Sequence, residues 1–381
     1  MNGASSANTK GTKVRIFHLV PNMNFGGLQE VVRELGLAQR QAGHEVTIGC
    51  WSNESNNAAA EAQLQAAGVR MVYLRRGPQG KQVSGKRYLF MKLKKELGAG
   101  KVDILHVHNP FYHYLYGALA ARAAGGTKVM LTMHATVWLD KGRPAWKRVF
   151  WIGAMLSDSI VSVCEEVQQI LLGRFKLPRG KFSVVENGID LGRFLAVPQR
   201  VARDKIVIGT IGRMASEKNH KVLIEAFAKL LPRYGDLRLR LLGGGPLETQ
   251  LKALTARLEV QDAVEFCGFS NDTPGYLRSF DIFVLPSESE AMPLTLLEAI
   301  ASGLPVVATS VGNVPRMVGV TESGWLCAPG DVDSLAQALE KAITCEQRIK
   351  MGEQARAKVS QYFSANRMAA DYERHYQQLI Q

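Results

Sequence analysis

Seven short runs of strand-forming residues recur through the first half of the chain with helical patterns between them, and the same alternation then restarts. The first set is Lys13–Val20, His44–Cys50, Val69–Leu74, Asp103–His108, Lys128–Met133, Ser159–Val163 and Phe182–Val185. The second is Lys205–Ile211, Leu237–Leu242, Ala263–Cys267, Asp281–Leu285, Pro305–Thr309 and Gly324–Cys327. Strand, glycine turn, helix, strand is the opening of a parallel α/β sheet, as in Lys13–Val20, Gly26-Gly27, the helical pattern Leu28–Ala42 and His44–Cys50. Two cycles predict two Rossmann-like, doubly wound parallel-sheet domains facing across a cleft. A chain of 381 residues with 46% hydrophobic content supports two such cores. The expected boundaries are a disordered lead-in at 1–12, a domain over 13–196 and a second over 197–364, with the polar, proline-containing stretch Ala196–Asp204 as linker.

Several classes fall away early. No apolar run reaches the ~18 to 20 residues that cross a bilayer. The first ten residues, Met-Asn-Gly-Ala-Ser-Ser-Ala-Asn-Thr-Lys, lack the apolar core of a secretory signal. Five scattered cysteines (Cys50, Cys164, Cys267, Cys327, Cys345) form no Cys-x-x-Cys pair, so they read as reduced thiols in the cytoplasm.

Charge is uneven. Residues 1–196 hold 26 Lys+Arg against 13 Asp+Glu, which accounts for the whole net charge of +13, and residues 197–381 balance. From Arg70 to Lys101 lie ten basic residues and one acid, Glu96. A second cluster sets Lys141, Arg143, Lys147 and Arg148 among Trp138, Trp146, Phe150 and Trp151. Basic side chains interleaved with tryptophan suit an anionic membrane surface, where each charge adds about 1 kcal/mol. The expectation is a cytoplasmic protein, peripheral on the inner face of the cytoplasmic membrane, with a merely solvated basic face as the alternative and no nucleic acid as partner.

In sheets of this kind ligands bind beyond the carboxyl ends of strands. The stretch Ser287–Gly303 follows one such end and sets Glu290 in a loop and Glu298 in the helix that Pro293 opens and Gly303 closes. A helix start offers N–H groups to an anion while carboxylates accept from hydroxyls, which suits a sugar nucleotide. On spacing alone, Glu298 as a surface residue and Glu290 as a cap fit equally well.

Glu290-x7-Glu298, within Ser287-Glu-Ser-Glu-Ala-Met-Pro-Leu-Thr-Leu-Leu-Glu-Ala-Ile-Ala-Ser-Gly303, resembles the signature of the retaining glycosyltransferases of family 4, which have the GT-B fold. Gly209-Thr-Ile-Gly-Arg-Met-Ala-Ser-Glu-Lys-Asn-His220, Leu242-Gly-Gly-Gly-Pro246, Val185-Glu-Asn-Gly-Ile-Asp190, Gly26-Gly27 and Thr132-Met-His134 resemble further family segments, so the likeness spans nearly the whole chain. It implies that Arg213 and Lys218 hold the donor diphosphate, approached also by the backbone of Gly26 or Gly27. Glu290 would contact the donor sugar, Glu298 the ribose, His134 the sugar pocket, and Phe269 and Ser270 the base. Gly212, Gly244, Met292, Leu294 and Thr295 complete the implied donor pocket. The first domain would take the acceptor, the second the donor, and the helix 365–381 would cross back to the first. Three departures stand out: Asn313 and Arg316 in Gly312-Asn-Val-Pro-Arg316, where many members carry Gly-Gly-x-x-Glu, and Gly244, where the Gly-x-Gly-Pro turn often carries an acid.

The resemblance implies a retaining hexosyltransferase that moves a sugar from a nucleoside-diphosphate sugar, UDP-linked in preference to GDP-linked, to a glycan or lipid-linked acceptor of the cell envelope. No Asp-x-Asp stands in a strand-end loop, so Arg213 and Lys218 are expected to replace a metal ion, with no cofactor required. A sugar-nucleotide 2-epimerase and a non-catalytic sugar-nucleotide binder are the alternatives.

Overall fold

The computed structural model describes residues 13–52, 55–76, 83, 85–99, 101–108, 112–135, 144–194 and 205–381. The lead-in, the linker 196–204 and the basic or aromatic residues Lys81, Trp138, Lys141 and Arg143 lie outside them.

In chain order the first strands and helices are β1 (Arg15–Val20), α1 (Gly27–Gln41), β2 (Glu45–Cys50), α2 (Ala58–Ala66), β3 (Arg70–Tyr73), α3 (Lys86–Ala99), β4 (Ile104–His108), α4 (Tyr112–Ala124), β5 (Lys128–Met133), α5 (Pro144–Leu156), β6 (Ser159–Ser162), α6 (Glu165–Arg174) and β7 (Phe182–Val184). The second series is β8 (Ile206–Ile211), α7 (His220–Leu230), β9 (Leu237–Leu242), α8 (Glu248–Arg257), β10 (Val264–Gly268), α9 (Thr273–Ser279), β11 (Ile282–Leu285), α10 (Leu294–Ala301), β12 (Val306–Thr309), α11 (Val314–Thr321), β13 (Gly324–Cys327), α12 (Val332–Thr344), α13 (Arg348–Tyr362) and α14 (Ala365–Ile380). All thirteen expected strands form.

The strands make two sheets, in the orders β3-β2-β1-β4-β5-β6-β7 and β10-β9-β8-β11-β12-β13. Pairing is parallel from β3 through β5 and throughout the second sheet. Every residue of β4, β11 and β12 is buried, the signature of a parallel sheet covered on both faces.

The chain divides into two compact units, the described residues of Met1–Thr132, Pro144–Ile160 and Glu373–Gln381 in one, and those of Met133–Arg143 and Val161–Tyr372 in the other. In the first, Val20, Val32, Ile48, Leu64 and Val69 form a core under α1 and α2. The final turns of α14 are tied to the same unit, where the Tyr376 hydroxyl lies 2.6 Å from His106 Nδ1. In the second, Ile208, Leu223, Phe227, Leu239, Leu241, Leu335 and Leu339 pack α7, α8 and α12 on one sheet face. On the other face α13 packs against α10 and α11.

Each strand order reverses once, between β1 and β4 in the first sheet and between β8 and β11 in the second. The loops beyond these strands are where an open α/β sheet leaves room for a ligand. In the second sheet they are residues 212–219 and 286–293.

Candidate active site

The two switch-point loops of the second sheet are sewn together. Glu288 N donates to Glu217 O at 2.9 Å, and Asn219 Nδ2 donates to Glu288 Oε1 at 3.1 Å. Asn219 has φ +48°, a left-handed turn that ends the first loop just before α7. Between these ties Lys218 Nζ lies 2.6 Å from Glu290 Oε1, and the Ser287 hydroxyl donates to the same oxygen at 2.7 Å. Ser287 is itself fixed, because the Thr309 hydroxyl donates to its carbonyl at 2.6 Å. A largely buried carboxylate thus meets a cation and a hydroxyl, and the Lys218 ammonium keeps further donors for another oxygen.

Arg213 leaves the same first loop but is exposed and paired with Glu217 at 2.5 Å. Glu298 is 8% exposed within α10, so it is a buried residue rather than a solvated one. Glu290 does not cap α10, whose N-cap is Pro293, with no side-chain cap bond. Met292 and Leu294 are buried and Thr295 is half-buried. Phe269 is exposed beyond β10, and the neighbouring Ser270 hydroxyl accepts from Asp272 N at 3.1 Å.

The glycines separate by role. A Cβ on Gly245 would lie 2.5 Å from Met214 O and 2.8 Å from Met214 N, so that position serves close packing of the turn on the Arg213 loop. Gly243, at φ +133°, likewise lies against the Gly212 carbonyl. Gly244 has only the far end of Glu248 within reach. In the first unit, a Cβ on Gly27 would meet nothing within 4 Å, and one on Gly26 would meet only the end of the Gln29 side chain. Packing therefore does not require glycine at Gly27 or Gly244.

His134, beyond β5, is half-buried, and desolvation lowers its pKa so that the ring is neutral at pH 7. The buried histidines of the first sheet form a bonded network. His18 Nδ1 meets His108 Nε2 at 2.9 Å and His18 Nε2 meets Gln39 Oε1 at 2.7 Å, while His106 Nε2 meets the Thr132 hydroxyl at 2.6 Å. Donor atoms of His18, His106 and His108 lie within 4.8 Å of one another, close enough for a metal, yet both nitrogens of His18 and of His106 already have protein partners.

Residues 25–193 match the family described as Glycosyltransferase Family 4, and residues 195–358 the family described as Glycosyl transferases group 1. The chain is a family 4-like glycosyltransferase. Among curated relatives of this glycosyltransferase, N-acetyl-alpha-D-glucosaminyl L-malate synthase of Bacillus anthracis is 28% identical over 73% of the chain and 75% of the relative. The UDP-Gal:alpha-D-GlcNAc-diphosphoundecaprenol alpha-1,3-galactosyltransferase of Escherichia coli is 29% identical over 66% and 68%. Among solved structures, HepE of Anabaena in complex with UDP and glucose superposes with a TM-score of 0.80 at 20% identity, covering 96% of this chain and all of that one, and supports the GT-B fold.

Sequence reasoning reached Lys218 and Glu290 but missed their supports. From the sequence Ser287 reads only as loop and Thr309 only as strand, and Glu217 carries no mark of its own. The available signal was the composition of the two switch-point loops, where polar side chains stand within buried surroundings.

Proposed function

We propose that this glycosyltransferase is retaining and metal-independent. It moves a hexosyl group from a nucleoside-diphosphate sugar, a UDP-sugar rather than a GDP-sugar, to a hydroxyl of a glycan or lipid-linked acceptor of the cell envelope. The observation that carries this reading is the Lys218–Glu290–Ser287 cluster at the switch point of the second sheet. Lys218, with Arg213, would face the donor diphosphate and stabilise the charge that develops as the nucleotide leaves. Glu290 would accept from a hydroxyl of the donor sugar, and Glu298 from the ribose. Gly27 and Gly244, where packing would admit a Cβ, suit close approach of backbone to ligand.

Transfer breaks the bond between the sugar's anomeric carbon and the diphosphate oxygen and forms one to the acceptor oxygen on the same face. The acceptor proton passes to the departing phosphate oxygen, and inverted product would refute this course. The UDP preference draws on the ligand of HepE and on the donor in the galactosyltransferase's name, which also specifies a diphosphoundecaprenol-linked acceptor.

Membrane contact draws support from α5. Its exposed face carries Lys147, Arg148, Trp151, Ile152 and Met155, and the adjacent α4 exposes Leu119. Neither helix contains an acid.

The deciding experiment is a thermal-shift panel of UDP-, GDP- and ADP-sugars run in EDTA, where a bound donor raises the midpoint as RT ln(1+[L]/Kd). A shift only with UDP-sugars supports the reading. A shift only with another base overturns the donor assignment, and a strict need for divalent metal overturns the role given to Lys218 and Arg213.

A further inference from the structure

Two of the departures from the family pattern, Asn313 and Arg316, converge on one carboxylate. Arg316 grips Glu186 with both arms, Nε to Oε1 at 2.7 Å and Nη2 to Oε2 at 3.0 Å. Asn313 Nδ2 donates to the same Oε1 at 2.7 Å. Glu186 follows β7 in the chain, while Asn313 and Arg316 begin α11, so the contact joins segments 127 and 130 residues apart.

What this joint holds is the loop that carries Glu290. On one side Asn187, next to Glu186, donates through Nδ2 to Met292 O at 3.2 Å and through its backbone N to Met292 Sδ at 3.0 Å. On the other side Asn313 N donates to Ala291 O at 2.8 Å. Gly312, at φ +55°, lies so close that a Cβ there would be 2.1 Å from Glu290 O. Arg367 fixes the first segment from behind, donating to Glu186 O at 2.6 Å. Residues 290, 291 and 292 are thus gripped between two segments, and the Glu186 carboxylate ties those segments to each other.

We infer that Glu186, braced by Asn313 and Arg316, is a positioning residue that fixes the Glu290–Met292 loop for sugar transfer. The inference rests on the reading that Glu290 contacts the donor sugar. A bidentate guanidinium pair sets direction as well as distance, which a loop with a single pivotal carboxylate needs. The asparagine and arginine act as a matched set with Glu186, so departures in two positions amount to one device.

The test is a double-mutant cycle of Glu186→Ala and Arg316→Ala, with Arg316→Lys as the conservative variant. Turnover is followed for the sugar nucleotide that gives the largest shift in the thermal panel, and binding for its nucleoside diphosphate alone. Each single substitution is expected to lower turnover about tenfold and the pair no further than about tenfold, because groups acting through one contact are not additive. Arg316→Lys should recover part of the loss. Nucleoside diphosphate affinity should hold, since the loop is assigned to the sugar and not the nucleotide. Additive losses, unchanged turnover, or nucleotide affinity falling in step with turnover would each overturn the inference. Glu290→Gln, measured in parallel, separates the two levels. Full activity in that variant removes the reading of Glu290 and the clamp with it, whereas an inactive Glu290→Gln beside fully active clamp variants removes the clamp alone.

Discussion

Lys218 and Glu290 lie 72 residues apart in sequence and 2.6 Å apart in space, each on a loop where the strand order of the second sheet reverses. The pair positions a cation that is only partly covered, beside an acid that is almost wholly covered. Lys218→Met should therefore lower kcat/KM by roughly 10² to 10³, the range seen when one preorganised charge-stabilising donor is removed. Steady-state kinetics at saturating acceptor measure it, and a loss below about fivefold would be too small for the role on that scale.

Turn packing and ligand approach separate at two glycines. Gly245→Ala places a methyl 2.5 Å from Met214 O and must push the Arg213 loop aside, so the melting temperature should fall. Gly27→Ala meets nothing within 4 Å and should melt as the parent does, while its affinity for the sugar nucleotide drops. Calorimetry for stability and titration for affinity distinguish the two, and a Gly27→Ala enzyme with parental affinity would remove that glycine from the donor site.

Much of this fold was legible because a parallel sheet buried on both faces leaves a simple trace. Runs such as Lys128–Met133, Leu237–Leu242 and Gly324–Cys327 matched the strands end to end, and most others differed by a residue at a terminus. Glu298 was ambiguous, since a carboxylate in a helix has no sequence mark of burial, and only the packing of α10 against α13, β11 and β12 decided it. Glu186 was invisible as a functional residue, because its meaning depends on Arg316 more than a hundred positions away. Asn313 and Arg316 registered only as departures. Long-range polar pairing leaves no periodicity, so spacing arguments cannot find it.

Buried histidines set a direction for acid sensitivity. Burial lowers the pKa of His18 from 6.5 to about 4, and that of His220 to about 4 with help from the nearby Lys218 charge. In the unfolded chain these rings take a proton near pH 6.5, but in the folded protein only near pH 4. Acidification across that interval therefore favours the unfolded state, by up to about 1.4 kcal/mol per pH unit for each such ring. Chemical denaturation at steps from pH 7 to pH 4.5 should show falling stability, and His18→Gln should flatten the slope whatever it does to stability at pH 7. An equal slope in that variant would mean that His18 takes up its proton alike in the folded and unfolded states, and would refute the depression of its pKa by burial.

Membrane contact is testable on one helix. In α5 the exposed positions Arg148, Trp151, Ile152 and Met155 recur at three- and four-residue spacing, while Phe150, Gly153 and Ala154 turn inward against α4. Rings and aliphatic tips on such a face would enter the headgroup region while Lys147 and Arg148 meet anionic lipid. The glycosyltransferase should sediment with vesicles containing phosphatidylglycerol more than with phosphatidylcholine alone, and raised salt should weaken the difference. Trp151→Ala, which removes a ring 42% exposed, should reduce the bound fraction. Sedimentation indifferent to lipid charge would refute the docking face and leave those residues as ordinary solvated surface.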